Sequence, residues 1–296
     1  VQTCALPIWP RSTRPAEAEL PIHPEEGMIA QFMPGLPGLS TVGGKQCIDA
    51  AAEDFSTSLA GFYEDYLAVE GGADLDGTRY RFDAVDVGEA VRGADLVLLA
   101  VPVGAMGEVM AACVDALPGH AWITDVGSTK GSVIAAARRA LGAALPRFVP
   151  GHPIAGGELP GVVHASARLF DRKLFIATPT EATSPAALEA VEALWGAAGS
   201  RVLRMDAAEH DAVFAAVSHL PHLLAFALVA RIASEPDGEH KLGFAGAGFR
   251  DFTRIAASDP TMWRDIFLHN KEAVLEMLGR LNEDIALLAR AIRWGE

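Results

Sequence analysis

Basic side chains are in short supply in this chain. Lys and Arg number 24 against 38 Asp and Glu over 296 residues, a formal net charge of −14. A surface of that sign repels a phosphate backbone, which excludes nucleic acid as a partner. Cysteine is rarer still. Cys4, Cys47 and Cys113 make an odd count without metal-type spacing, so neither a disulfide framework nor a metal site is expected, and a reducing, cytoplasmic compartment fits. Long uninterrupted apolar runs are missing as well: the most apolar segment, Ala212 to Ala233, is broken by Ser218, His219, Pro221, His222 and Arg231. It reads as a buried helix, and no membrane partner is expected. Also absent before residue 85 is a strand followed by a GxGxxG turn and a helix.

With 50% hydrophobic and 21% charged residues, the chain is globular and long enough for two domains. Residues 1–8 read like the translation of an adapter oligonucleotide and are set aside as a non-native scar. Residues 9–84, rich in Pro, Gly and acids, form an atypical or corrupted segment. Its glycine-rich run from Gly35 to Lys45 fits neither GxGxxG nor the phosphate loop, in which Ser or Thr follows the Lys.

Regular patterning begins near residue 85. Ala94 to Val101 is a continuous apolar run interrupted only at Asp95 and closed by Pro102, as in a parallel strand buried on both faces. A helix over 105–117, a strand over 121–125, and a helix capped by Ser128 or Thr129 follow, the last with Val133, Ile134, Ala137 and Leu141 on its apolar face. Strands over 147–149, 173–178 and 201–205 and a helix begun by Ser184-Pro185 complete one parallel α/β layer over 85–206. From 207 to 296 only helices are expected, over 207–233, 251–257 and 260–292. In the last, Val274, Leu278, Leu281, Ile285, Leu288 and Ile292 alternate in steps of four and three, a stripe that must find a partner. A homodimer through these C-terminal helices is the expected solution, with packing inside the domain as the alternative.

The polar groups that interrupt this pattern suit redox chemistry on a small anion. His152, between Gly151 and Pro153 and near Gly156 and Gly157, can be neutral at cellular pH and accept a proton as a carbonyl forms. Asp125, Gly127 and Ser128 follow a strand's carboxyl end, where open parallel sheets bind ligands, and Val101 and Pro102 do the same one strand away. His219 and His222 share a helix face beside Pro221, which removes an amide donor and should kink the helix. Arg254 carries a permanent planar charge that fits a carboxylate, with Arg250 and Arg264 as rivals. Asp251 would pair with Arg254 before substrate arrives. Trp263 walls a ring or packs a core, and Glu158 gates entry or stays solvated.

From Val85 to Ile292 the chain resembles the prephenate dehydrogenase family. The resemblance is carried by Asp95-Leu96-Val97-Leu98-Leu99-Ala100-Val101-Pro102, Asp125-Val126-Gly127-Ser128-Thr129-Lys130, Gly151-His152-Pro153-Ile154-Ala155-Gly156 and Ser218-His219-Leu220-Pro221-His222, and by Gly248 to Ala256 with Asp259 to Asp265. It implies a Rossmann-type parallel sheet, here without its first strand-turn-helix, followed by an all-helical domain for substrate and dimerisation. It implies hydride transfer from prephenate to NAD, with NADP left open, loss of carbon dioxide, and a place in tyrosine biosynthesis. Under it His152 and Ser128 are catalytic. His222, Arg254, Glu158, Trp263 and Asp251 contact substrate, and Val101, Pro102, Asp125, Gly127 and Ser128 border the cofactor. His219 supports its helix. Arogenate dehydrogenase and a non-catalytic dimeric remnant that binds substrate without cofactor are the alternatives. A dehydrogenase of the six-phosphogluconate type would need a catalytic Lys context that Lys241 and Lys271 lack.

Overall fold

The computed structural model describes residues 39–42, 87–156, 166 and 168–296. They fall into two compact units that divide after Ala207.

The first unit is built on a parallel sheet of order β1-β2-β3-β4, made of Leu39–Val42, Leu96–Leu99, Trp122–Asp125 and Phe148–Val149. The continuous apolar run at β2 has a direct cause. Val97 and Leu99 point into one core with Met106, Val109 and Ala137, while Leu96 and Leu98 point into a second core with Phe175 and Trp195. A strand covered on both faces cannot alternate polar with apolar. Helices α1 (Val87–Val91), α2 (Met106–Val114) and α3 (Gly131–Ala140) contribute to the first core. Helix α4, Pro185–Ala197, contributes to the second. It begins as its sequence requires, with Ser184 Oγ accepting from Ala187 N at 3.2 Å and Pro185 in the first turn.

Three expectations are corrected in this unit. β1 lies in the segment read as atypical or corrupted, where no strand-turn-helix is expected, yet it pairs in register with β2 from Leu39↔Leu96 to Val42↔Leu99. Four residues among Gly and Pro are too short for periodicity to register, and only the tertiary pairing reveals them. The rest of 1–84 lies outside the described residues.

The expected single parallel layer is two sheets. Gly151–Pro153 (β5) runs antiparallel to Leu174–Ala177 (β6), which runs parallel to Arg201–Arg204 (β7). Pro150, which has no N–H for a ladder, marks the crossing from β4 to β5, and its carbonyl accepts from Thr178 N at 2.9 Å.

Neither Ser128 nor Thr129 caps α3. Its N-cap is Lys130, and the Thr129 hydroxyl pairs with Ser132 Oγ at 2.8 Å.

The second unit is helical. Its first helix runs without interruption over Ala207–Ala233, as α5 (Ala207–Phe214), a π segment (Ala215–His219) and α6 (Leu220–Ala233). The disruption expected from Pro221 takes the form of that π segment, a wider turn that accommodates the missing amide donor. By length and composition this helix could cross a membrane, and only 28% of its most apolar stretch is buried. The expectation of a buried helix is therefore corrected for the single chain: much apolar surface is left for something outside it.

Beyond lie α7 (Gly238–Gly243), α8 (Ala247–Thr253), a 3-10 turn (Arg254–Ala257), α9 (Pro260–His269) and α10 (Lys271–Trp294). The expected helix over 251–257 is thus α8 running into a 3-10 turn. The expected helix over 260–292 is divided at Asn270, whose side chain is engaged elsewhere in the unit.

Candidate active site

In the first unit, β2 and β3 end side by side, with Leu99 opposite Asp125. Their following residues, Val101-Pro102 and Val126-Gly127-Ser128, therefore emerge together at the carboxyl edge of the parallel sheet, the edge at which such sheets bind ligands. Pro102, Val126 and Ser128 are half-buried there. Val101 is buried in the first core, so its side chain is structural and it can offer a ligand only its backbone.

Asp125 is also turned inward, contrary to the expected cofactor contact for its carboxylate. Oδ2 accepts from Gly127 N at 2.8 Å and from Lys130 Nζ at 2.5 Å, and Oδ1 accepts from Gly151 N at 3.0 Å. Lys130 Nζ also donates to the Gly151 carbonyl at 2.5 Å. Both side chains are completely buried.

This network ties the turn that holds Ser128 to β5, which holds His152 opposite Ile176. His152 is half-buried between buried Gly151 and Pro153. The glycine is sterically demanded: a Cβ on Gly151 would lie 2.2 Å from Phe175 Cζ and 3.1 Å from the Asp125 carbonyl. Gly156, at φ 136°, occupies a conformation that other residues rarely adopt. Gly157 and Glu158 lie outside the described residues.

In the second unit the π segment and the start of α6 set two imidazoles in different states. His222 Nδ1 donates to the Ser218 carbonyl at 2.9 Å, which leaves the Nε2 lone pair as an acceptor on the neutral ring. Burial lowers its pKa and favours that neutral form, although the Ser218 bond opposes the shift. The ring stacks on Trp263 with centroids 3.5 Å apart and planes 17° apart.

His219 is buried. Its Nδ1 accepts from Asn270 Nδ2 at 3.1 Å, so Nε2 carries the proton, and among the described residues Nε2 has no hydrogen-bond partner. Burial lowers its pKa to about 4, with Asp211 opposing and His210 and His222 adding to the shift. Trp263 is buried, as the core alternative expects.

Arg254 and Asp251 are both exposed, on the 3-10 turn and on α8. Among the described residues Asp251 forms no ion pair, so the expected partnership with Arg254 before substrate binding is not made. Arg264 pairs with Asp265 at 2.7 Å. Arg250 is exposed on α8.

Comparison with known proteins gives the family. The prephenate dehydrogenase nucleotide-binding domain matches residues 74–204, and the prephenate dehydrogenase dimerization domain matches residues 206–296. The chain belongs to the prephenate dehydrogenase family. It is 40% identical over 211 residues to the cyclohexadienyl dehydrogenase of Zymomonas mobilis, covering 70% of this chain and 71% of that protein. A crystal structure of Aquifex aeolicus prephenate dehydrogenase in complex with hydroxyphenyl propionate and NAD+ is similar with a TM-score of 0.65. It is 40% identical and covers 71% of this chain and 72% of its own. The Synechocystis arogenate dehydrogenase structure is similar with a TM-score of 0.60 and 28% identity, covering 71% of this chain and 75% of its own.

Membership in the prephenate dehydrogenase family gives the uncovered apolar surface of the helical unit a purpose, because that unit is the family's dimerization domain. The stripe of α10 is covered over only part of its length. Val274 is buried and Leu278 and Leu281 are half-buried, whereas Ile285, Leu288 and Ile292 are 49%, 62% and 81% exposed.

Two residues escaped the sequence reading. Lys130 was visible only as a member of a motif, and no pattern announces that a lysine will be fully buried. Asn270 sat inside a helical stripe as an ordinary polar residue. The signal that can reveal it is weak: Asn disfavours helix interiors and competes for local hydrogen bonds.

Proposed function

We propose that this protein oxidises prephenate to 4-hydroxyphenylpyruvate and carbon dioxide with NAD as hydride acceptor, in tyrosine biosynthesis, as a cytoplasmic homodimer joined through its helical unit. Family membership and the NAD+-bound relative support the cofactor and the substrate class. The carrying observation is His152, held on a strand that is clamped to the Gly127-Ser128 turn at the carboxyl edge of a parallel sheet.

The residues at that edge suit a dinucleotide. Two adjacent parallel strands end in register at Leu99 and Asp125, and Val101, Pro102, Gly127 and Ser128 would hold it through backbone and hydroxyl groups. When bound, NAD supplies the acceptor for the hydride that leaves the carbinol carbon of the ring. His152 takes the hydroxyl proton as that carbon becomes a carbonyl. The ring carboxylate then departs as carbon dioxide, its electron pair passing through the ring onto the carbonyl oxygen, which takes back the proton from His152 to give the phenol, and aromatisation makes the step irreversible. Ser128 orients the imidazole.

In the helical unit, Arg254 anchors a substrate carboxylate through its planar fork. His222 accepts from the substrate through Nε2, Trp263 offers its indole to the ring, and Asp251 adds a further contact; Glu158, which precedes the helical unit in the chain, is assigned to the substrate as well. Arogenate is a second reading, favoured by the likeness to the Synechocystis enzyme. The deciding experiment follows reduced nicotinamide by absorbance after prephenate or arogenate is added with NAD or NADP. NADH formation with prephenate at the higher kcat/KM supports the proposal. A higher value with arogenate selects the second reading, and tight binding of a substrate analogue with no turnover of either compound identifies a non-catalytic remnant.

A further inference from the structure

Asp125 and Lys130 form a charge pair from which water is wholly excluded. Such pairs are weak sources of stability, because desolvating both ions offsets most of their attraction. Their contacts are nevertheless selective. The carbonyl that Lys130 Nζ holds at 2.5 Å belongs to the peptide joining Gly151 to His152. The N–H that Asp125 Oδ2 holds at 2.8 Å belongs to the peptide joining Val126 to Gly127, one residue before Ser128. Asp125 Oδ1 completes the bracket by accepting from Gly151 N at 3.0 Å. The pair thus grips the backbone immediately before each of the two residues assigned to the chemistry. Gly151, having no Cβ, allows β5 to come this close.

We propose that Lys130 is a positioning residue: its ammonium, bridging the Asp125 carboxylate and the Gly151 carbonyl, sets the strand that carries His152 against the turn that carries Ser128. This rests on the reading that His152 takes the proton. Short-range placement has large kinetic leverage, since a displacement of about 1 Å can lower a rate on the order of a hundredfold. An apolar replacement that fills the same space keeps the packing and loses the bridge.

Two variants of the full chain separate positioning from stability. Lys130→Met leaves the Asp125 charge buried without its ammonium and should lower the melting temperature. Lys130→Met with Asp125→Asn removes both charges and should restore the melting temperature toward the parent value. In that double variant kcat for prephenate should still be lower, on the order of a hundredfold, with KM little changed, and the His152 ring resonances should shift or broaden in carbon-detected NMR.

A double variant with parental kcat and parental His152 resonances overturns the proposal and leaves the pair a folding element. If the single variant does not fold, the double variant decides alone. If the parent protein does not oxidise prephenate, the functional reading fails by itself. The His152 resonances then still report whether Lys130 positions the ring.

Discussion

Asn270 donates to His219 Nδ1 at 3.1 Å and, through the same amide nitrogen, to the Asp211 carbonyl at 2.8 Å. One side chain therefore closes the break between α9 and α10 and fixes the tautomer of a buried imidazole. That imidazole makes stability depend on pH in a defined window. Its folded pKa of about 4 lies below the ordinary value of 6.5, so between these limits the unfolded chain binds a proton that the folded chain refuses. The contribution is complete above pH 6.5 and is lost progressively as pH falls toward 4, up to about 3 kcal/mol. His219→Asn retains an acceptor for Asn270 and removes the titration. Urea melts at pH 7, 5.5 and 4.5 should show a shallower pH slope in this variant than in the parent; equal slopes would refute the assignment.

The indole of Trp263, buried in the helical unit, is also the face against which His222 lies, so the recognition role proposed for it can be tested apart from packing. Trp263→Ala should lower stability by about 3–5 kcal/mol, as removal of a large core ring does. Trp263→Phe should preserve the fold and weaken the stack, raising KM for prephenate about two- to tenfold, in line with aromatic pairs worth about 0.5–1.5 kcal/mol. Denaturant titration and initial-rate kinetics on the two variants check this. A phenylalanine variant with parental KM would confine Trp263 to packing.

The sequence carried the parallel strands well, because burial on both faces leaves an unbroken apolar run such as Leu96 to Leu99. The helical unit was equally readable from its stripes. Structure that depends on distant partners was not legible. β1 has four residues and gains its identity from pairing with β2, and β5 is defined by β6 rather than by its own composition. The same holds for the candidate site. His152, Ser128 and His222 stand out as reactive groups among Gly and Pro. The inward turn of Asp125 and the burial of Lys130 follow from hydrogen bonds 21 to 26 residues apart, which no local pattern contains.

His152 and Arg254 should fail in different ways when replaced. An imidazole that receives a proton in the transition state acts on turnover, and general base catalysis contributes about 10²–10⁴-fold. His152→Asn should therefore lower kcat within that range and leave KM nearly unchanged. A guanidinium that holds a carboxylate acts on binding, so Arg254→Gln should raise KM by about 10- to 100-fold, the scale of a charged hydrogen bond worth about 1.5–3 kcal/mol. Steady-state kinetics with prephenate read both. Small, equal effects would remove both residues from the roles assigned to them.

The α10 stripe predicts where the homodimer is most easily broken. Val274 is already covered within the unit, so a charge there would attack the fold. Ile285, Leu288 and Ile292 are exposed on the C-terminal half of the helix, with much of the apolar surface of α6 also uncovered, and apolar surface of this extent marks an association site. Leu288→Glu with Ile292→Lys should leave helix content intact and shift the protein from dimer to monomer at micromolar concentration. Sedimentation velocity and circular dichroism measure the two quantities together. The substitutions remove side chains that need another chain to exclude water from them, whereas the core formed by Trp263, Ile266 and Val274 is untouched. A variant that remains fully dimeric would move the interface away from this end of α10, onto the uncovered faces of the 207–233 helix.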